Sequence, residues 1–156
     1  MTSIVVGFVD RPEGHAALER AIAEASRRGV LLVVAHGRPE AAGIGGGRLP
    51  DADDSAANLG LALADVTVEY EVVDIAVGDS YADVLVALAD DRAADMIVIG
   101  LRRRSPVGKL VLGSNAQRIL LDATCPVLAV KAGSGPGSAG ARIAEAGTRV
   151  EEVPRS

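Results

Sequence analysis

The chain has 156 residues, a formal net charge of −5 at pH 7, 49% hydrophobic residues and only 2% aromatic residues. This length fits a single domain whose core is built from Val, Ile, Leu and Ala, as in parallel strands covered by helices. The acidic balance and the scarcity of aromatic rings argue against the basic, ring-stacking surfaces of nucleic-acid-binding proteins.

Cys125 is the only cysteine, which excludes an intramolecular disulfide and fits a reducing compartment. No apolar run approaches the ~20 residues that a membrane helix needs. The first residues resemble a strand rather than a targeting segment. We therefore expect a soluble, cytoplasmic protein that has neither nucleic acid nor a membrane as a partner.

Blocks of apolar residues, separated by glycine, proline and polar residues, predict five strands that alternate with four helices. The strands are predicted at 3–9, 30–35, 66–72, 96–99 and 126–130, and the helices at 12–28, at 51–64, from Ser80 onward and around 116–123. Pro12 and Gly29 mark the ends of the first helix, and Ser80 with Asp83 has the spacing of a capping box. Four glycines predict a surface loop over 37–50.

The order of these elements predicts the topology of the sheet. The third strand alternates apolar and polar residues over 66–72, so we place it at an edge. The pattern βαβαβαβαβ then predicts an α/β fold, a five-stranded, parallel, doubly wound, Rossmann-like sheet of order 3-2-1-4-5 with helices on both faces. We assign 1–132 to this domain and 133–156 to a disordered tail.

Ligands of such sheets bind at the carboxyl ends of the strands, at the point where the winding reverses. In the predicted order this point lies between strands 1 and 4. Val9 and Asp10 follow strand 1, and Gly100 begins the segment after strand 4. We therefore expect a ligand between these two segments.

The loop after strand 4 has a local excess of positive charge. Gly100 is expected to let the chain leave the sheet in a backbone conformation that other residues avoid. Gly113 and Ser114 begin the last helix, whose free N–H groups favour an anion, and the Ser114 hydroxyl either caps the helix or donates to phosphate. Four basic residues and no acidic one lie between these ends, namely Arg102, Arg103, Arg104 and Lys109. The loop predicts a nucleotide phosphate site, although a basic run can also be solvated surface.

From Asp10 to Lys131 the chain resembles the universal stress protein family. Nucleotide-binding members of that family carry Gly-x2-Gly-x9-Gly-Ser/Thr, and Gly100 and Gly113-Ser114 match its first and last elements at the right spacing. Arg103 stands where the family has its second glycine. This arginine could contact phosphate with its own donors or fill the site, and the spacing leaves both open.

The resemblance implies an adenine-nucleotide-binding protein of the stress response, with ATP preferred and Mg²⁺ accompanying its phosphates. Asp10 matches an aspartate near the adenosine, although it could instead cap the first helix. Ile99 matches an apolar residue before the first glycine, and Gly37 lies where the second strand borders adenine. The predicted site comprises Val9, Asp10, Gly37, Ile99, Gly100, Arg102, Arg103, Gly113, Ser114, Asn115 and Ala116.

The fifth strand predicts a homodimer. Val127, Leu128 and Val130 give it an apolar character, and pairing with a second copy about a two-fold axis would cover this edge. The alternative to nucleotide binding is a nucleotide-free dimeric interaction protein of the same fold, which Arg103 favours. No Ser/His/Asp set or carboxylate pair is evident, so we expect no catalysis beyond slow, incidental ATP hydrolysis.

Other motifs indicate structure rather than chemistry. Lys109 follows a glycine but precedes no Ser or Thr, unlike the lysine of a P-loop. His15 and His36 lack partners at metal-ligand spacing, and we expect His36 to be hydrogen-bonded at the end of strand 2. Cys125 is expected to pack rather than to react. A receiver domain has a similar sheet, but it needs an acidic pair after strand 1 and would leave the basic loop unexplained.

Overall fold

The computed structural model describes residues 2–39, 52–78, 80–101 and 112–132. Its elements are β1 (Ser3–Phe8), α1 (Pro12–Arg28), β2 (Leu31–Pro39), α2 (Ala52–Leu63), β3 (Tyr70–Val77), α3 (Tyr81–Asp91), β4 (Ala94–Leu101), α4 (Ser114–Asp122) and β5 (Val127–Lys131). The predicted alternation of strands and helices is confirmed. The four basic residues of the loop after β4 and the predicted tail lie outside the described residues.

The five strands form one parallel sheet in the order β3-β2-β1-β4-β5, as predicted. β1 is the central strand, and its Val6 lies beside Val34 of β2 and Val98 of β4. The chain therefore reverses its winding between β1 and β4. This reversal places the carboxyl ends of those two strands side by side at the predicted switch point.

Alternate side chains of β1 enter two separate core layers, because successive residues of a strand point to opposite faces. Ile4, Val6 and Phe8 pack in the layer under α1 and α2. Val5 packs in the other layer, with Leu85 of α3 and residues of α4. Helices thus cover both faces of the sheet, as predicted.

The ends of α1 follow the sequence signals, whereas the start of α3 does not. Pro12 is the first residue of α1, and Gly29 ends it with a φ of 66° and an N–H bonded to the Ala25 carbonyl. Ser80 is the N-cap of α3, but its side chain makes no capping hydrogen bond, so the predicted capping box is wrong. The Asp83 carboxylate instead accepts from the Arg118 guanidinium of α4 at 3.0 and 3.1 Å.

The edge position of β3 is confirmed, but its predicted bounds and its apolar face are wrong. The strand begins at Tyr70 and extends to Val77, and Tyr70 and Val72 are exposed. Val73, Ile75 and Val77 pack toward α3 instead. The alternation over 66–72 includes residues that precede the ladder, since pairing with β2 starts at Tyr70. Val66 and Val68 pack against the α1/α2 layer, but Tyr70 and Val72 within the strand stay exposed.

β5 forms the other edge of the sheet. Its Val130 is buried, and Leu128 packs against the same α1/α2 layer, whereas Val127 packs against the α3/α4 layer. Within the subunit Val130 is thus buried, whereas Val127 and Leu128 are only partly buried. What the described structure leaves open at this edge is the backbone of β5.

Candidate functional site

A cleft with a volume of ≈ 270 Å³ lies at the carboxyl ends of β1 and β4. It is bordered by the end of β1, the start of α1, the end of β4 and the start of α4. Of the predicted site residues, the cleft brings together Val9, Ile99, Gly100, Gly113, Ser114, Asn115 and Ala116. The predicted switch-point site is therefore a physical cleft, and most of the described candidates line it.

Two glycines allow the first turn of α1 to lie directly against the strand ends. A Cβ atom at Gly14 would lie 1.8 Å from the Val9 carbonyl oxygen, and one at Gly100 would lie 2.1 Å from the Glu13 carbonyl oxygen. Among the described glycines only Gly29 has a positive φ, so the backbone conformation expected at Gly100 is wrong. Gly100 is required because α1 approaches β4 so closely.

The start of α4 forms one end of the cleft. Gly113 is the N-cap with φ −69° and ψ 163°, and Ser114 is the first helical residue rather than the cap. The first backbone N–H groups of a helix have no intrahelical acceptor, and here the Gln117 N–H is bonded to the Gly113 carbonyl oxygen at 3.0 Å. A Cβ at Gly113 would have no atom of the described residues within 4 Å, its chain neighbours apart. The free N–H groups and the helix dipole suit this end to an anion.

A second part of the cleft lining is apolar. Val9, Val77 and Ile99 line it together with Tyr81, the first residue of α3. Burial raises the pKa of the Tyr81 hydroxyl well above its usual range, so this group stays protonated at neutral pH. The cleft lining thus combines these apolar side chains and one hydroxyl with the charged residues Arg11 and Glu13 at the start of α1.

Asp10 lies next to the cleft but does not line it. It is 8% exposed, and both oxygens of its carboxylate are engaged. Oδ1 lies 2.7 Å from His15 Nε2, and Oδ2 accepts from Asn58 Nδ2 at 2.8 Å. The N-cap of α1 is Arg11, without a side-chain capping bond, so the alternative in which Asp10 caps the helix is wrong. These contacts join the end of β1 to α1 and α2.

Gly37 also lies away from the open cleft. β2 extends to Pro39, so this glycine lies inside the strand rather than in the predicted loop. A Cβ at Gly37 would lie 2.9 Å from Val9 Cγ2, 2.9 Å from Val77 Cγ2 and 3.3 Å from Tyr81 Cε2. The side chains of these three residues cover Gly37. Its predicted contact with adenine, like that of Asp10, stays a prediction.

A Ser/His/Asp set that the sequence analysis missed lies on β2, α2 and β3. His36 Nε2 is 2.7 Å from Ser55 Oγ, and His36 Nδ1 is 3.1 Å from Asp74 Oδ1. The pairing of His36 with Asp74 depends on the β2–β3 register, which sequence spacing does not reveal. Ser55 and His36 are both only 2% exposed, so no substrate reaches the serine. The two hydrogen bonds of this set join β2, α2 and β3. The prediction that His36 is hydrogen-bonded is confirmed.

The described part of the chain offers little other chemistry. Within it, no group of three or more His, Cys, Asp or Glu side chains could hold a metal ion. Cys125 packs against the α3/α4 layer, and burial raises the pKa of its thiol, as expected for a packing residue. No helix within the described ranges is long and apolar enough to cross a membrane.

The sheet order and the position of the cleft define a doubly wound α/β domain with a cleft at its switch point. Comparison with known proteins makes this more specific. The model of the Universal stress protein family matches residues 1–131. The chain therefore belongs to the universal stress protein family, as the glycine motif predicted.

Individual relatives agree with this assignment. A universal stress protein of Mycolicibacterium smegmatis is 41% identical over 130 residues, which cover 82% of this chain and 96% of the relative. The structure of a universal stress protein from Archaeoglobus fulgidus has a TM-score of 0.64 and 33% identity, and the match covers 83% of this chain and 98% of that one. A universal stress protein from the same organism, solved in complex with dAMP, has a TM-score of 0.61 and 29% identity over 83% of this chain and 97% of that one.

Proposed function

We propose that this protein binds an adenine nucleotide, ATP by preference, in the cleft between β1 and β4 and acts as a nucleotide-responsive module of the cytoplasmic stress response. One observation carries the proposal. The cleft combines a helix start suited to an anion, at residues that match the family's nucleotide motif, with apolar side chains that include Ile99 before the first glycine of that motif. The complex of the A. fulgidus relative with dAMP supports it.

The phosphates would lie at Gly113, Ser114, Asn115 and Ala116. Backbone N–H groups at the start of α4 point to this end, and the Ser114 hydroxyl adds a donor. Because the described residues hold no acidic cluster for a metal, Mg²⁺ would be bound mainly through the phosphates. This set of residues binds and orients a nucleotide. It includes no evident base for hydrolysis, so we expect turnover to be slow and incidental.

The base would lie against Val9 and Ile99. Asp10 supports the position of Val9 indirectly, because its contacts with His15 and Asn58 hold the chain at the residue next to Val9. A nucleotide that reaches Asp10 or Gly37, as the family resemblance implies, would have to displace the side chains that now cover them.

Isothermal titration calorimetry of the full chain with Mg²⁺ and ATP tests the proposal. We expect saturable binding, and we expect Gly113→Val to weaken it by at least about tenfold, because a branched side chain would stand among the first N–H groups of α4. An added Cβ at Gly113 meets no atom of the described residues beyond its chain neighbours within 4 Å, so we expect the fold to be retained. Gly60→Ala, at an open position of α2 outside the cleft, is the control and should bind like the wild type. No heat with folded wild-type protein at millimolar ATP would reject nucleotide binding and favour the nucleotide-free alternative.

Arg102 and Arg103 lie outside the described residues, so their roles stay predictions that the same assay can address. If Arg103 contacts phosphate, Arg103→Gly weakens ATP binding. If Arg103 fills the site, the same change restores the family's glycine and strengthens binding. Mass spectrometry of any small molecule released from freshly purified protein on denaturation identifies the nucleotide.

A further inference from the structure

We propose that the Tyr81 hydroxyl makes a hydrogen bond to the base of the bound nucleotide and is a specificity-determining residue of the cleft. This inference rests on the proposed function and assigns a particular contact within it. It follows from the position of the ring, from the absence of a hydrogen-bond partner for the hydroxyl among the described residues, and from the apolar side chains around that hydroxyl.

The Tyr81 ring occupies space that two neighbouring strands leave open. A Cβ at Gly7 of β1 would lie 2.8 Å from the Tyr81 hydroxyl oxygen, and a Cβ at Gly37 of β2 would lie 3.3 Å from its Cε2. The ring therefore crosses the two glycines, and the hydroxyl lies over β1, where the Ile99 side chain of β4 is also near. This position is the floor of the cleft at the switch point.

The hydroxyl has no protein partner within the described part of the chain. Tyr81 is 7% exposed, yet its oxygen makes no hydrogen bond with the described residues. No side-chain oxygen or nitrogen of these residues is both fully shut off from solvent space and unsatisfied. The Tyr81 oxygen therefore opens into the cleft that it lines. Buried polar groups normally have a partner, and here a ligand is the group that can supply it.

The apolar surroundings of the hydroxyl favour the base rather than the phosphates as its partner. The start of α4 supplies the N–H groups that suit phosphate. The Tyr81 hydroxyl instead lies among apolar side chains, with Leu85 and Ile99 next to it over Gly7. Its raised pKa keeps the hydroxyl neutral, so it can donate to or accept from the polar edge of a base without adding charge. A site that pairs a buried hydroxyl with its ligand discriminates against ligands that leave the hydroxyl unpaired.

Tyr81→Phe tests this contact, because it removes one oxygen and keeps the ring that fills the space over Gly7 and Gly37. Calorimetric titrations compare ATP with inorganic tripolyphosphate, which has the phosphates but no base. We expect Tyr81→Phe to weaken ATP binding about three- to tenfold, the range of one neutral hydrogen bond, and to leave tripolyphosphate binding unchanged. Tyr70→Phe is the matched control, since Tyr70 is an exposed tyrosine of β3 and lies outside the cleft lining.

Three results would overturn the inference, and they separate it from the proposed function. If Tyr81→Phe binds ATP like the wild type, Tyr81 makes no such contact while nucleotide binding stands. If the variant loses tripolyphosphate and ATP equally, the hydroxyl does not act on the base. If the wild type binds no ATP, both proposals fail.

A spectroscopic measurement adds an independent readout. The chain has no tryptophan and two tyrosines, so in the Tyr70→Phe variant tyrosine fluorescence reports on Tyr81 alone. We expect saturating ATP to change this emission and tripolyphosphate to leave it unchanged. An emission that ignores ATP while calorimetry shows binding would place the base away from Tyr81 and would reject the inference.

Discussion

At the scale of single residues, the cleft depends on side chains that are missing as much as on those that are present. Gly14 and Gly100 let the start of α1 touch the ends of β1 and β4. Their role is close backbone packing, which is independent of the left-handed conformation for which glycine is often required. Any side chain at either position would push α1 away from the cleft.

Gly100→Ala is therefore expected to lower the free energy of unfolding by about 1–3 kcal/mol, because its methyl group overlaps the Glu13 carbonyl. Gly60→Ala is the control. Its methyl meets no atom within 4 Å in α2, so it should raise stability by roughly 0.5–1 kcal/mol. Urea unfolding followed by circular dichroism measures both. Equal stability of the two variants would show that α1 does not need this close approach.

The burial of Tyr81 predicts a pH dependence of stability. The folded protein keeps the hydroxyl protonated above the pKa of about 10 at which an unfolded tyrosine ionises. The unfolded state therefore binds fewer protons in that range, and this group lowers the free energy of unfolding by up to ~1.4 kcal/mol per pH unit as the pH rises above about 10. Below that pH both states are protonated and the effect vanishes.

Urea unfolding at a series of alkaline pH values compares the wild type with Tyr81→Phe. We expect the variant to lose stability less steeply above about pH 10, since phenylalanine has no proton to release on unfolding. Tyr70→Phe still contains Tyr81 and should keep the steeper decline. Parallel curves for the wild type and Tyr81→Phe would contradict the burial of this hydroxyl.

At the scale of elements, the sequence predicts features that depend on periodicity and on the residues at helix ends. Prediction from the sequence fails for features that depend on contacts between elements. The ends of α1 follow from Pro12 and Gly29, whose backbone preferences are local. The face of β3 does not, because Tyr70 and Val72 lie outward only in the register that β2 imposes. The buried side of the strand also holds Glu71, which pairs with Arg92 at the end of α3 at 2.6 Å.

The residues of the candidate site likewise fall into those that sequence spacing could place and those that it could not. Gly100 and Gly113 could be placed from their spacing, because both border one loop at the switch point. Tyr81 could not be placed, since it belongs to α3, which is distant in sequence from the loop after β4, and its ring fits only because Gly7 and Gly37 lack side chains. The engagement of Asp10 by Asn58 likewise needs α2 in place.

The hydrogen bond between Ser55 of α2 and His36 of β2 leads to a prediction about the stability of the fold. Ser55→Ala leaves the Nε2 atom of a buried histidine without its partner, so we expect the free energy of unfolding to fall by about 1–3 kcal/mol. Ser26→Ala makes the same change at an exposed position of α1 and should shift stability by no more than about 0.5 kcal/mol. Chemical denaturation of both variants provides the measurement, and an unaffected Ser55→Ala protein would mean that the contact adds nothing to the fold.

At the scale of the whole molecule, the open backbone edge of β5 favours the predicted homodimer. The Ile97 N–H of β4 donates to the Pro126 carbonyl at 2.9 Å, and Ala129 lies beside Ile99 in the same ladder. N–H groups alternate in direction along a parallel strand, so Leu128 and Val130 face β4 and Ala129 faces outward. A second copy related by a two-fold axis can accept from this outward N–H.

Ala129→Pro removes that outward donor without removing a bond to β4, so it should convert a dimer into a monomer in sedimentation velocity runs at micromolar concentration. Ala129→Lys keeps the N–H and places a charge on the edge, and it is the second variant in case proline loosens β5. Tyr70→Lys puts the same charge on β3, the opposite edge, and should leave the dimer intact. A wild-type monomer, or a dimer lost only in Tyr70→Lys, would exclude β5 as the interface. Because both ends of the cleft lie on one subunit, ATP affinity should be the same in the monomeric variants, which separates assembly from nucleotide binding.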